Sequence, residues 1–161
     1  MRRRKRKSIY ILPNLLTSAS LFAGFYSIVA TMDKKFTYAA IAILISGVFD
    51  GLDGRVARLT GSMSKFGVEY DSLSDVIAFG VAPGFLAYVW ALQGYGRFGW
   101  VAAFLFVACG ALRLARFNVQ VDTVQKKHFL GLPIPAAASV IAASVLFCSE
   151  MGYKGELKTI V

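Results

Sequence analysis

The chain has 161 residues, of which 57% are hydrophobic and only 17% charged, and its formal net charge is +9. So little polar surface excludes an ordinary soluble domain and points to a protein that crosses a membrane several times. The positive charge does not indicate nucleic-acid binding either, because nothing after the basic N-terminus reads as a soluble binding module. A basic leader over residues 1–8 (Arg2, Arg3, Arg4, Lys5, Arg6, Lys7) opens the chain. Apolar runs follow at 10–31, 36–58, 72–93, 98–118 and 132–150. Each is near the ~20 residues that a helix needs to cross a hydrocarbon core of ~30 Å. The predicted fold is therefore all-α, a polytopic transmembrane helical bundle with five visible spans.

Pro13 and Asn14 interrupt the first run, which together with the later spans argues against a cleaved signal peptide. Turns are brief, at Asp33-Lys34-Lys35, at 93–97 and at 119–127, so sequential helices should be neighbours in one compact bundle. Gly24, Gly47, Gly51, Gly54, Gly80, Gly84 and Gly110 suit close helix approach in lipid. Cys109 and Cys148 lie in apolar runs with no metal-ligand spacing, and packing accounts for them. His128, the only histidine, falls in a basic loop and is expected to be solvated. Residues 152–158 read as a loop leading onward, and Thr159-Ile160-Val161 as the start of another span. One membrane domain over 1–161, continuing to six or more helices in a longer protein, is the expectation.

With alternating spans, Arg55, Arg58, Lys65, Arg113, Arg116, Lys126 and Lys127 fall on the same side as the leader. Lys34, Lys35, Arg97, Lys154 and Lys158 remain on the other. Positive charge collects at cytoplasmic loops, so the N-terminus is expected in the cytoplasm, with the protein in the plasma (inner) membrane. The leader could also contact anionic headgroups.

Four aspartates, Asp50, Asp53, Asp71 and Asp75, stand beside these apolar runs. Carboxylates are costly there and mark a functional site. Spacings of three and four put each pair on one helix face, so two helices could aim four carboxylates at one volume on the cytoplasmic side. A metal site is the simplest way to keep such charges together. Oxygen ligands without nearby Cys or His favour Mg²⁺ or Mn²⁺ over zinc. Two divalent ions would balance the four carboxylates, and such pairs suit phosphoryl transfer. A structural cluster paired with Arg55 and Arg58, and a proton- or cation-coupled transport site, are the other readings.

The pattern Asp-x2-Asp-Gly-x2-Ala-Arg-x8-Gly-x3-Asp-x3-Asp, carried here by Asp50, Asp53, Gly54, Ala57, Arg58, Gly67, Asp71 and Asp75, resembles the signature of the CDP-alcohol phosphotransferase family. The resemblance implies transfer of a phosphate-containing group from a CDP-linked donor to an alcohol, with release of CMP. It implies that Asp50, Asp53, Asp71 and Asp75 hold two divalent cations and that Asp75 is the general base. Gly54 and Gly67 would let the nucleotide approach the backbone, Arg58 would grip the diphosphate, and Ser64, Asn14 and Thr17 would add donor contacts. Those last three could equally cap or back-bond a helix. A homodimer in the bilayer is implied as well.

Three further stretches resemble the phosphatidylserine synthase branch of that family: Val76-Ile77-Ala78-Phe79-Gly80-Val81-Ala82-Pro83, Arg113-Leu114-Ala115-Arg116-Phe117-Asn118 and Gly131-Leu132-Pro133-Ile134-Pro135-Ala136-Ala137. This implies CDP-diacylglycerol as donor and L-serine as acceptor. Arg113 or Arg116 could bind the serine carboxylate as a bidentate cation, with Asn118 orienting its amino group or carboxylate. Pro133 and Pro135 would shape the start of the fifth span. Glycerol 3-phosphate and inositol phosphate are the rival acceptors, kept open by Arg113, Arg116, Lys126 and Lys127.

Overall fold

The computed structural model describes residues 2–61, 64–121 and 132–152, with side chains described for 12–61, 64–119 and 132–152. His128, Gly131, Lys126 and Lys127 lie outside the described residues. Among the described residues there is no strand. The helices are α1 (Arg2–Met32), α2 (Phe36–Thr60), α3 (Lys65–Tyr95), α4 (Arg97–Val121) and α5 (Ile134–Glu150). The all-α membrane bundle is the architecture found, with one refinement of the span count. Four stretches are long and apolar enough to cross a membrane (Leu12–Met32 of α1, α2, α3, and Arg97–Val119 of α4), whereas α5 is a shorter apolar helix of 17 residues. Pro133, at φ −56° and ψ 144°, stands in extended backbone and delays the start of α5 to Ile134.

Two boundaries differ from the sequence expectation. Pro13 lies inside α1 without ending it. One missing rung costs less than breaking a helix where no water can satisfy the freed groups. The second difference bears on the site. α3 begins at Lys65 rather than at 72, because Ser64 is extended (φ −121°, ψ 151°) and its hydroxyl accepts the Gly67 N–H at 2.9 Å. Asp71 and Asp75 therefore sit within a helix, not at its threshold.

Short connections hold neighbours together. Between α1 and α2, Lys34 takes a left-handed conformation (φ 59°), and the Lys35 N–H reaches back to the Ala30 carbonyl at 2.8 Å. α2 ends at Gly61, whose φ of 60° is open to glycine at no steric cost, and whose N–H satisfies the last carbonyls at Ala57 and Arg58. α1 and α2 form the most extensive helix pair, α3 packs on α1, and α5 covers α2. The core is built of small side chains (Ala39, Ala40, Ala78, Ala82, Ala138, Ala142) around Ile43, Phe79, Leu86 and Val145. Small residues let backbones approach, which is how helices gain dispersion energy in lipid.

α3 is not uniform. Just after Asp75 it widens into a π-helical stretch, Val76–Val81. Pro83 explains it: the ring has no N–H and crowds the carbonyl one turn back, and the Ala82 N–H bonds the Ile77 carbonyl, five residues behind. α1 meets this widened turn closely. A Cβ on Gly24 would lie 2.7 Å from the Ala78 Cα, whereas one on Gly51 would meet nothing within 4 Å. Gly24→Val is thus expected to destabilise the bundle by about 1–3 kcal/mol, the usual cost of overpacking. Gly51→Ala should be neutral or better, and thermal unfolding in detergent compares the two.

Candidate metal centre

The acids come together from two helices. α2 supplies Asp50 and Asp53 and α3 supplies Asp71, and these three place carboxylate oxygens within 4.8 Å of one another. Asp75, one turn beyond Asp71, is not one of that trio; its carboxyl group stands at hydrogen-bonding range of Asp50. The geometry is therefore a close trio with a fourth carboxylate attached through Asp50. Asp53 is the deepest, only 4% exposed. One oxygen each of Asp71 and Asp75 (Oδ1) is buried without a hydrogen-bond partner. Orphaned acceptor atoms in a crowded, all-oxygen donor set are what a hard divalent cation would satisfy, so the residues fit a metal.

α1 carries no acid in its described part yet touches both halves. The Thr17 hydroxyl donates to Asp53 Oδ2 at 2.7 Å, and the Thr17 carbonyl accepts from the Ser74 hydroxyl at 3.3 Å. The Thr17 Oγ1 also lies 3.1 Å from the Pro13 carbonyl, one turn back on α1. Three residues on, Ser20 and Ser46 pair across the two helices: their hydroxyls are 2.8 Å apart, and each stands within hydrogen-bonding distance of the other residue's carbonyl (3.1 and 3.0 Å). On the flank, Ser18 Oγ lies 2.9 Å from Tyr70 Oη, and Tyr70 stacks on Phe66 with centroids 5.9 Å apart. That pair heads an apolar groove of about 420 Å³ lined by Leu21, Phe22, Phe25 and Ile77.

The remaining sequence candidates are distributed around this centre. Gly67 faces Asn14, whose Oδ1 would lie 3.4 Å from an added Cβ, and Ser64, whose hydroxyl would lie 3.1 Å from it. Ser64 thus serves as the cap of α3, one of the two roles open to it. Gly54 lies beneath the Arg58 guanidinium, 3.8 Å from where its Cβ would stand. Arg58 and Arg55 are exposed. On α4, Arg113 is half-buried and Arg116 exposed. Asn118 Nδ2 donates to Ser72 Oγ at 2.8 Å, tying the end of α4 to the aspartate helix. Of the cysteines, Cys109 is exposed and Cys148 half-buried, so core packing does not describe Cys109.

Nothing about Ser20, Ser46, Ser72 or Ser74 stands out one residue at a time. Their mark is spacing. Thr17, Ser20, Gly24, Ser27 and Thr31 repeat at three and four on one buried face of α1. Ser46 precedes Asp50 by one turn, and Ser72 and Ser74 interleave with the acids.

Comparison with known proteins agrees with this geometry. Residues 10–161 match the family described as CDP-alcohol phosphatidyltransferase. A CDP-diacylglycerol–serine O-phosphatidyltransferase of Helicobacter pylori is 49% identical over 138 residues, which cover 86% of this chain and 58% of the relative. An archaetidylserine synthase of Methanothermobacter thermautotrophicus is 43% identical over 155 residues, 94% of this chain and 65% of the relative. A CDP-diacylglycerol–serine O-phosphatidyltransferase of Mycobacterium leprae is 40% identical over 151 residues, 90% of this chain and 50% of the relative. The chain thus spans about half to two thirds of the length of these curated relatives.

Proposed function

This chain belongs to the CDP-alcohol phosphatidyltransferase family, and we propose that it transfers the phosphatidyl group of CDP-diacylglycerol to the hydroxyl of L-serine, giving phosphatidylserine and CMP. The observation that carries this reading is the convergence of Asp50, Asp53 and Asp71 within 4.8 Å, with Asp75 against Asp50. Relatives named for serine as acceptor support the choice of alcohol. Family membership sets aside the transport reading of the acids.

In the proposed reaction the serine Oγ attacks the phosphorus that bears the diacylglycerol group. The new O–P bond forms as the bond to the CMP oxygen breaks, and CMP leaves with that electron pair. Asp75 takes the serine hydroxyl proton. Asp50, Asp53, Asp71 and Asp75 would hold two Mg²⁺ or Mn²⁺ ions, which when bound neutralise the donor's diphosphate and the charge that develops on CMP. Gly54, beneath Arg58, and Gly67, beside Asn14 and Ser64, are where the nucleotide would approach the backbone. Arg58, exposed beside Gly54, offers its guanidinium fork to the diphosphate. Asn14 faces Gly67, and Thr17 fixes the orientation of Asp53.

Acceptor recognition falls to the end of α4. The Ser72 hydroxyl donates to the Val68 carbonyl at 3.0 Å, so it can only accept from Asn118, which fixes the side-chain amide with its NH₂ toward Ser72. The carbonyl Oδ1 of Asn118 is then the atom left for the ammonium of serine, while Arg113 or Arg116 takes the carboxylate. Orientation with the N-terminus and the site toward the cytoplasm of the plasma membrane is supported by the charge bias described above. The homodimer in the bilayer that the family resemblance implies is part of this proposal.

The test is CMP release from CDP-diacylglycerol in detergent micelles with Mg²⁺ or Mn²⁺. Serine, glycerol 3-phosphate and inositol phosphate are offered in parallel. Release with serine alone is expected. Release only with a phosphorylated alcohol overturns the acceptor, and no release with any of them overturns the reaction.

A further inference from the structure

We infer that Ser20 and Ser46 are positioning residues for the aspartate centre: their reciprocal hydrogen bonds set the register of α1 on α2, so that Thr17 meets Asp53 and Ser74. This rests on the reading of the aspartates as a metal centre and goes beyond it, because neither serine is a ligand. The two halves of the centre belong to different helices, and α1 is the element that touches both. It reaches the α2 half through Thr17 Oγ1 and Asp53 Oδ2, and the α3 half through the Thr17 carbonyl and the Ser74 hydroxyl. Ser74 is the chain neighbour of Asp75. Whatever fixes Thr17 therefore fixes both contacts.

The serine pair is built for that task. Ser20 lies one turn from Thr17 and Ser46 one turn from Asp50. Both are about 1% exposed or less. Each hydroxyl is within bonding distance of the other hydroxyl and of the other residue's carbonyl, at 2.8–3.1 Å. A slide of α1 by one residue would break every one of these contacts and leave buried polar groups unpaired, so the pair has a single satisfied register. Close packing of Gly24 on Ala78, two turns below Thr17, limits movement in the same sense.

The experiment measures Mn²⁺ binding to the purified, metal-free protein by electron paramagnetic resonance, with no substrate present. Ser20→Ala and Ser46→Ala are each expected to weaken Mn²⁺ binding by roughly 3- to 10-fold, the scale of one interhelical hydrogen bond. The double variant should lose more than either single, since each alanine leaves the other hydroxyl its bond to the facing carbonyl, and less than the sum of the two, since the hydroxyl–hydroxyl contact is shared. Ser46→Cys keeps the volume with a weaker donor and should fall between wild type and Ser46→Ala, which serves if the alanine variant folds poorly. Ser144→Ala, which removes an exposed hydroxyl-to-backbone bond within α5 and outside the network, should leave Mn²⁺ binding unchanged. If the serine variants lower the unfolding temperature yet bind Mn²⁺ as wild type does, the inference is overturned while the metal centre stands. If wild type itself shows no Mn²⁺ binding that Asp71→Asn removes, the metal reading falls and takes this inference with it.

Discussion

Asp75→Asn is expected to lower turnover by about 10²–10⁴-fold, the usual contribution of a positioned general base. Asparagine fills the same space and can still meet Asp50, but its amide cannot take the serine proton. The loss should fall on kcat, with the serine KM little changed, because the interaction removed is made in the transition state. Steady-state kinetics with CDP-diacylglycerol and serine separate the two parameters. A variant that kept wild-type kcat would remove Asp75 from the role of base. One that bound Mn²⁺ normally while losing turnover would separate proton transfer from metal holding.

Asp53→Asn should act differently. Asp53 is almost fully buried, and its Oδ2 accepts the Thr17 hydroxyl at 2.7 Å. Asparagine can accept that bond through its carbonyl, so the contact with α1 is retained and one negative charge is removed. The metal-free variant is therefore expected to unfold at the wild-type temperature or above it, since fewer like charges crowd the site. Mn²⁺ affinity should fall by ~100-fold or more, beyond what loss of an outer partner of a metal ligand costs. A ligand that binds only the folded state raises its unfolding temperature. Addition of Mn²⁺ should then raise the unfolding temperature of wild type and leave that of the variant unmoved. An equal rise in both would take Asp53 out of the ligand set.

Much of the site could be read along the chain because its chemistry is periodic. Asp50 with Asp53, and Asp71 with Asp75, are near neighbours on helices, and helical spacing alone puts each pair on one face. The apolar runs were equally legible, since a helix that crosses lipid must be apolar over its length. What escaped is what passes between helices. Ser20 and Ser46 are 26 residues apart and Ser72 and Asn118 46 apart, and no local pattern announces that they meet. Nor does composition reveal that Asp75 leans on Asp50 instead of joining Asp71 in the trio. α3 starts seven residues before the apolar run at 72 for a local reason: Lys65, Glu69 and Asp71 lower the hydropathy of that stretch, while the Ser64 cap makes it helical.

α4 is solvated by its surroundings more than by the protein. Phe98, Phe104, Leu105, Leu112 and Phe117 all point outward, and little of this helix is covered by the others. Its place depends on hydrocarbon at its back and on a few contacts such as Asn118 with Ser72. Extraction into a short-chain detergent replaces that hydrocarbon with a looser shell, and α4 is the helix with least to hold it. The functions assigned to the two regions would then part company during purification. The aspartate centre, braced by α1, α2 and α3, would outlast the acceptor-handling end of α4, and lipid nanodiscs become the preparation of choice for measuring serine affinity.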